Sequence, residues 1–340
     1  MMKNKYVFTA VMLLCILLVC LGTTTLYVRM SGDNGADKEN LLVVTSFYPM
    51  YVATDNVVTG IDGIALQNLS EPQTGCLHDF QLTPEDMRLL SRADVFVING
   101  GGIEGFMEDV ASAYPDLTII EACEDITLLK SENGHVHEAD AHDAEADVVD
   151  DHQHDEAENG HEGHSHDEEG NAHAWMSVAD YRTQVATIAR GLAAADPAHA
   201  DAYLANQKQY DDKLAELQQE GELLAKQLDG MRVILFHEAY AYLAKDLDMD
   251  SCYVLNLDEE RSVSAGEVAD VLEEISENGV TLILAEELYG SDLGRQVEAE
   301  SNAAVLYLDT LNRGDYETDS YLNGMRENFS RIRDWLQEGE

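Results

Sequence analysis

Met231-Arg232-Val233-Ile234-Leu235-Phe236 runs directly into His237-Glu238-Ala239-Tyr240. A short apolar, β-branched run reads as a buried strand, and residues 237–247 then take a helical pattern. The unit recurs. Residues 254–257 (VLNL) read as a strand before a helix over Ala265–Asn278. Residues 280–285 (VTLILA) lead into Glu286-Glu287 and a helix near 292–301, and residues 303–308 (AAVLYL) lead into Asp309 and a terminal helix over 320–336. Strands alternating with helices predict a parallel sheet. Ligands of such sheets bind beyond the carboxyl ends of the strands, where His237 and Asp309 both fall.

Working outward, residues 177–228 form a long helical region broken at Asp196-Pro197. Leu214, Leu217, Leu224 and Leu228 repeat at helical spacing and make one packing stripe. Further upstream, Leu41–Thr45, 63–69 and 94–99 read as strands. A helix opens at Pro84 behind the cap Thr83 and runs to about residue 92, and a second covers 103–113. The fold class is therefore α/β: two halves with parallel sheets flanked by helices, joined by a long helix.

The 340 residues carry 20 Lys+Arg against 66 Asp+Glu, a formal charge of −46. Such a surface repels phosphate backbones and excludes nucleic acid as a partner. It attracts cations. Lys3 and Lys5 precede 23 uncharged positions, 6–28. That run is long enough to span a bilayer, so it reads as an export segment, retained as an anchor or cleaved near 23–25, placing residues 40–340 outside the cytoplasm. Cys76, Cys123 and Cys252 lie beyond that segment. An odd number leaves at least one thiol free in a monomer, and a Cys76–Cys123 bridge stays open.

Residues 131–169 are low-complexity: eight His among fifteen Asp and Glu, with no Lys, Arg or aromatic residue. They read as a disordered loop that gathers metal ions weakly. Outside it, His78 follows the strand at 63–69, His173 lies where the loop rejoins the fold, and His237 and Asp309 end strands. Three imidazoles and one carboxylate suit Zn²⁺. Glu286 and Glu287 compete with Asp309 for the fourth place. Cys76 is a poorer candidate, because C-x-H on one extended segment cannot easily aim both side chains at one ion.

Five motifs in order carry a family resemblance: Ser46-Phe47-Tyr48-Pro49-Met50-Tyr51, the HDFQLTPEDM stretch from His78, Val97-Ile98-Asn99-Gly100, His173-Ala174-Trp175, and Phe236-His237-Glu238-Ala239-Tyr240. With the His-rich insertion, residues 41–338 resemble the metal-binding solute-binding proteins of bacterial ABC importers, zinc type. The resemblance implies two pseudo-symmetric lobes on a rigid helix with one metal in the cleft. By position it makes His78, His173, His237 and Asp309 the ligands. The corresponding divisions are 1–40 (signal or anchor and linker), 41–176 (first lobe, with loop 131–169), 177–228 (linking helix) and 229–340 (second lobe).

The implied function is an extracytoplasmic Zn²⁺ receptor that is not an enzyme. It would be a membrane-tethered monomer feeding ABC permease subunits. A manganese receptor of the same family is the nearest alternative, because carboxylates at the site favour Mn²⁺. A zinc hydrolase or a metal-storing surface adhesin are the others. No H-E-x-x-H is present: position 241 is Ala.

Overall fold

The computed structural model describes residues 40–70, 80–131, 134–135, 170–257 and 263–338. His78, Cys76, the apolar run 6–28 and residues 136–169 of the His-rich stretch lie outside them. The chain divides into two compact units, Met1–Leu41 with Gly63–Ala65, and Leu42–Asp62 with Leu66–Glu340. In the first, the Leu41 amide donates to the Gly63 carbonyl (2.8 Å). The site lies wholly in the second.

The amino-terminal half is built from β1 (Leu41–Thr45), α1 (Tyr48–Val58), β2 (Ile64–Asn68), α2 (Pro84–Leu90), β3 (Val95–Ile98), α3 (Met107–Ala113) and β4 (Thr118–Glu121). Its strands lie in the order β2-β1-β3-β4, with β1 parallel to β3 and β3 parallel to β4. Thr83 closes a capping box with Asp86, which starts α2. The expected helix over 103–113 opens only at Met107, because Gly100, Gly101 and Gly102 hold positive φ and the turn after them buries Glu104. Helix α1 and strand β4 are elements that the sequence pattern did not announce.

Two short strands, β5 (Leu129–Lys130) and β7 (Gly170–Asn171), pair antiparallel at the base of the His-rich stretch. Between them β6 (Gly134–His135) pairs antiparallel with the second half's edge strand, so this part of the stretch has regular backbone rather than the loop expected. Next come α4 (Val178–Ala195) and α5 (Ala200–Leu228), broken at the expected place. Twenty-nine residues make α5, about 43 Å of helix. Leu214, Leu217, Leu224 and Leu228 are buried. Gly221 belongs to the same face: a Cβ there would lie 3.0 Å from the Phe329 ring.

The carboxyl-terminal half holds β8 (Arg232–Leu235), α6 (Tyr240–Asp246), β9 (Asp250–Val254), α7 (Ala265–Asn278), β10 (Leu282–Ala285), α8 (Glu287–Glu300), β11 (Ala304–Tyr307) and α9 (Ser320–Glu338). The strand order is β11-β10-β8-β9-β6, and β11, β10, β8 and β9 run parallel. Three details differ from expectation. Helix α8 opens at Glu287, directly after β10, rather than near 292. Strand β9 starts four residues before 254, its polar Asp250-Ser251-Cys252 hiding it from a hydropathy reading. Helix α6 starts at Tyr240 rather than 237, leaving His237-Glu238-Ala239 as a turn.

No helix among the described residues is long and apolar enough to cross a membrane. Cys123 and Cys252 are free thiols, and burial pushes the Cys123 thiol up to about 12.

Trp175 joins the halves. It is fully buried, packs edge-on against Phe47 (5.1 Å between centroids) and donates its indole N–H to the Thr310 carbonyl (2.8 Å). Trp175→Ala should cost about 3–5 kcal/mol, whereas Trp175→Phe keeps the edge contact and loses mainly the hydrogen bond. Denaturant unfolding checks both; equal losses in the two variants would contradict the packing argument.

Candidate metal site

Strands β8, β10 and β11 are neighbours, and each delivers a polar residue at its carboxyl end: His237, Glu286 and Asp309. The Tyr240 hydroxyl holds two of these ends, lying 3.2 Å from the Ala285 carbonyl and 2.8 Å from that of Leu308. His237 is 1% exposed and Glu286 is 8% exposed. Glu286 Oε2 lies 3.7 Å from His237 Nδ1. That is too long for a hydrogen bond. It approaches the roughly 3.3 Å that two ligands of one tetrahedral zinc keep, given bonds near 2.0–2.1 Å. Arg313 donates to the other oxygen, Glu286 Oε1.

Asp309 is turned along its own loop, its bonds there partly buried. Its Oδ1 accepts the Leu311 amide (2.8 Å), and its backbone exchanges two hydrogen bonds with the Asn328 side chain (2.8 Å each). The surrounding protein desolvates its carboxyl and raises the pKa, Glu286 adds repulsion, and the Leu311 amide and Arg313 oppose the rise.

His173 comes from the other direction, on the turn Asn171–Trp175. It is fully buried, and its ring lies 4.9 Å from that of His237, edge to face. One side chain sets its orientation. Asn171 Nδ2 donates to the Glu238 carbonyl (2.8 Å), which leaves Asn171 Oδ1 to accept. That oxygen takes the His173 backbone N–H (3.0 Å) and faces His173 Nδ1 (2.9 Å). An acceptor there requires the proton on Nδ1 and puts the lone pair on Nε2. This is how a ligating imidazole is held. Glu238 backs the arrangement: its Oε1 is 3.9 Å from His173 Nδ1, and its Oε2 accepts from Ser131 (2.6 Å).

The turn carrying His173 is anchored in the first half. Asn99 Nδ2 donates to the Ala172 carbonyl (2.9 Å), and Gln184 donates to Asn99 Oδ1 (2.8 Å). Glu104 underpins Asn99. Its Oε1 accepts from Ser46 Oγ (2.8 Å) and the Asn99 amide (2.7 Å), and its Oε2 from the Gly100 amide (3.0 Å). Burial outweighs these three donors and raises its pKa to about 7.

Of the four sequence-predicted ligands, the structure thus brings His173 and His237 together, places Asp309 at the neighbouring strand end, and leaves His78 outside the described residues. Among the described residues no three His, Cys, Asp or Glu side chains are arranged to hold a metal ion. Asn171, Glu238 and Arg313 were not singled out beforehand. Nothing in a single sequence flags Asn171 or Arg313; Glu238 stood out only as a member of the Phe236–Tyr240 motif.

Two parallel α/β halves with polar residues converging from the strand ends define the solute-binding class of fold. The chain belongs to the family described as zinc-uptake complex component A, periplasmic (ZnuA), whose family model matches residues 43–335. It is 26% identical over 346 residues to the high-affinity zinc uptake system protein ZnuA of Bacillus subtilis, covering 98% of this chain and 99% of that protein. It is 28% identical over 300 residues to the zinc-binding protein AdcA of Streptococcus pyogenes, covering 86% of this chain and 55% of AdcA; the chain thus spans about half that relative's length. Among solved structures it is similar to the solute-binding protein FpvC of Pseudomonas aeruginosa in complex with Mn²⁺, with TM-score 0.70 and 23% identity, covering 88% of this chain and all of that one.

Glu104 generates a pH prediction. Its folded pKa is raised from 4.5 to about 7, so between these values the folded state binds more protons than the unfolded one. Stability from this group is present below 4.5 and is lost as pH rises towards 7, by an amount on the order of 3 kcal/mol. Glu104→Gln removes the titration. The stability gap between wild type and variant should therefore narrow as pH rises from 4.5 to 7. A gap that stays constant in denaturant titrations across that range would contradict the assignment.

Proposed function

We propose that this protein is an extracytoplasmic receptor that captures Zn²⁺ in its cleft and delivers it to the membrane subunits of an ABC permease. The observation that carries the reading is the pair of buried imidazoles, His173 and His237, 4.9 Å apart, with the Glu286 carboxylate beside one of them. Imidazole and carboxylate are side chains that Zn²⁺ takes as ligands, and the contact of His173 Nδ1 with Asn171 Oδ1 leaves the Nε2 lone pair of that ring for a metal. Membership in a zinc-uptake family supports the same cargo and the same kind of partner. Zn²⁺ here is cargo, to be released.

On this reading His78 completes the imidazole set, and the fourth ligand comes from Glu286 or Asp309. The 3.7 Å separation from His237 favours Glu286. The lobes are 41–176 and 229–340 with 177–228 between them, and residues 1–40 export and tether the chain. Residues 131–169 add weak sites that raise the local metal concentration. Imidazole favours Zn²⁺ over Mn²⁺, the weakest binder of the divalent series.

The test is a chelator-dye competition. His173→Ala and His237→Ala should each weaken tight Zn²⁺ binding by about tenfold or more, because each loses a directly coordinating nitrogen. Affinity should also fall as pH drops through about 6.5, where imidazole protonates. Wild-type affinity in His237→Ala would place the function elsewhere.

A further inference from the structure

We infer that Arg313 sets the metal preference of this site by occupying one of the two oxygens of Glu286. The inference rests on the reading of Glu286 and His237 as ligands.

Glu286 stands at the carboxyl end of β10, directly before α8, with only 8% of its surface exposed. Its oxygens have different surroundings. Oε1 receives the Arg313 Nη2 donor. Oε2 is buried, makes no hydrogen bond among the described residues, and faces His237 Nδ1. Arg313 is itself held in place. Its Nε donates to Asn312 Oδ1 (3.3 Å), and its guanidinium lies 6.0 Å from the centre of the Tyr289 ring. Its side chain is 24% exposed against 9% for that of Glu286, so solvent screens the pair only in part. Arg313 also acts favourably on Asp309, the other candidate carboxylate.

The consequence follows from coordination chemistry. A carboxylate whose second oxygen is held by a guanidinium can offer a metal one oxygen. Zn²⁺ is satisfied by four ligands, so one oxygen beside imidazoles suffices. Mn²⁺ favours oxygen donors, and a bidentate Glu286 would serve it. Arg313 withholds that second oxygen. It also removes local negative charge, which weakens every cation, but that effect has no selectivity. The ratio of affinities therefore isolates the oxygen count.

Zn²⁺ and Mn²⁺ affinities of the full chain would be measured by chelator competition for wild type, Arg313→Ala, Arg313→Lys and Glu286→Ala, and for the Arg313→Ala/Glu286→Ala pair. Arg313→Ala should lower the Zn²⁺/Mn²⁺ affinity ratio by about tenfold, the size expected for a residue that orients a ligand. Arg313→Lys, which keeps one donor and the charge, should recover part of it. On the Glu286→Ala background, Arg313→Ala should leave the ratio unchanged within about twofold, since the two residues act as a coupled pair. A merely structural role would weaken both metals together and leave the ratio alone. If Arg313→Ala does not fold, as judged by circular dichroism, Arg313→Gln replaces it with the same expectation. An unchanged ratio, or the same change with and without Glu286, overturns the inference. If His237→Ala binds Zn²⁺ like wild type, the site reading itself fails and this inference falls with it. If His237→Ala loses binding while the Arg313 variants keep the wild-type ratio, the inference alone is wrong.

Discussion

The Asn171 amide is the constraint on which the rest of the site depends. Its nitrogen is committed to the Glu238 carbonyl in the second half, so its oxygen must accept, and that fixes the proton on His173. One side chain thus ties the turn before α4 to the turn after β8 and chooses the tautomer of a buried ring. Tyr242 reinforces the tie from α6, donating to the Asn171 carbonyl (2.7 Å) and lying 3.0 Å from the Leu129 amide. Without an accepting Asn171 oxygen, the His173 ring could take either tautomer, and the direction of its lone pair would no longer be set by the fold.

The second half supplies complementary geometry through strand order. Because β8, β10 and β11 are adjacent and parallel, three residues far apart in sequence are delivered to one edge. Each is then assigned by its local bonds. Asp309 is engaged by Leu311 and Asn328, Glu286 is shared between Arg313 and the face of His237, and His237 is enclosed. The formal charge of −46 acts at longer range and favours cation approach.

Much of this was legible in the sequence. Apolar runs such as 231–236 and 280–285 were legible because buried parallel strands are nearly all apolar. The capping residue Thr83 was placed to start α2, and it closes a capping box; the matching box of Ser264 and Glu267 at the start of α7 came only with the structure. The break at Asp196-Pro197 was legible from proline chemistry. What escaped was long-range or polar. Strand β9 begins with Asp250-Ser251-Cys252, so its burial could not be read from composition. Glu104 looks like a surface carboxylate in sequence, yet the glycine turn before it folds it inward. The nearness of Glu286 to His237 depends on which strands are neighbours, and the partnership of Arg313 with Glu286 spans 27 residues. No local pattern encodes either one.

Zinc K-edge X-ray absorption, on wild type and His237→Ala each loaded with one equivalent of Zn²⁺, tests the central claim most directly. The account predicts a wild-type shell of nitrogen and oxygen at about 2.0–2.1 Å with imidazole multiple scattering, and a weaker imidazole signal in the variant. A sulfur shell near 2.3 Å in the wild type, or identical spectra for the two proteins, would contradict it.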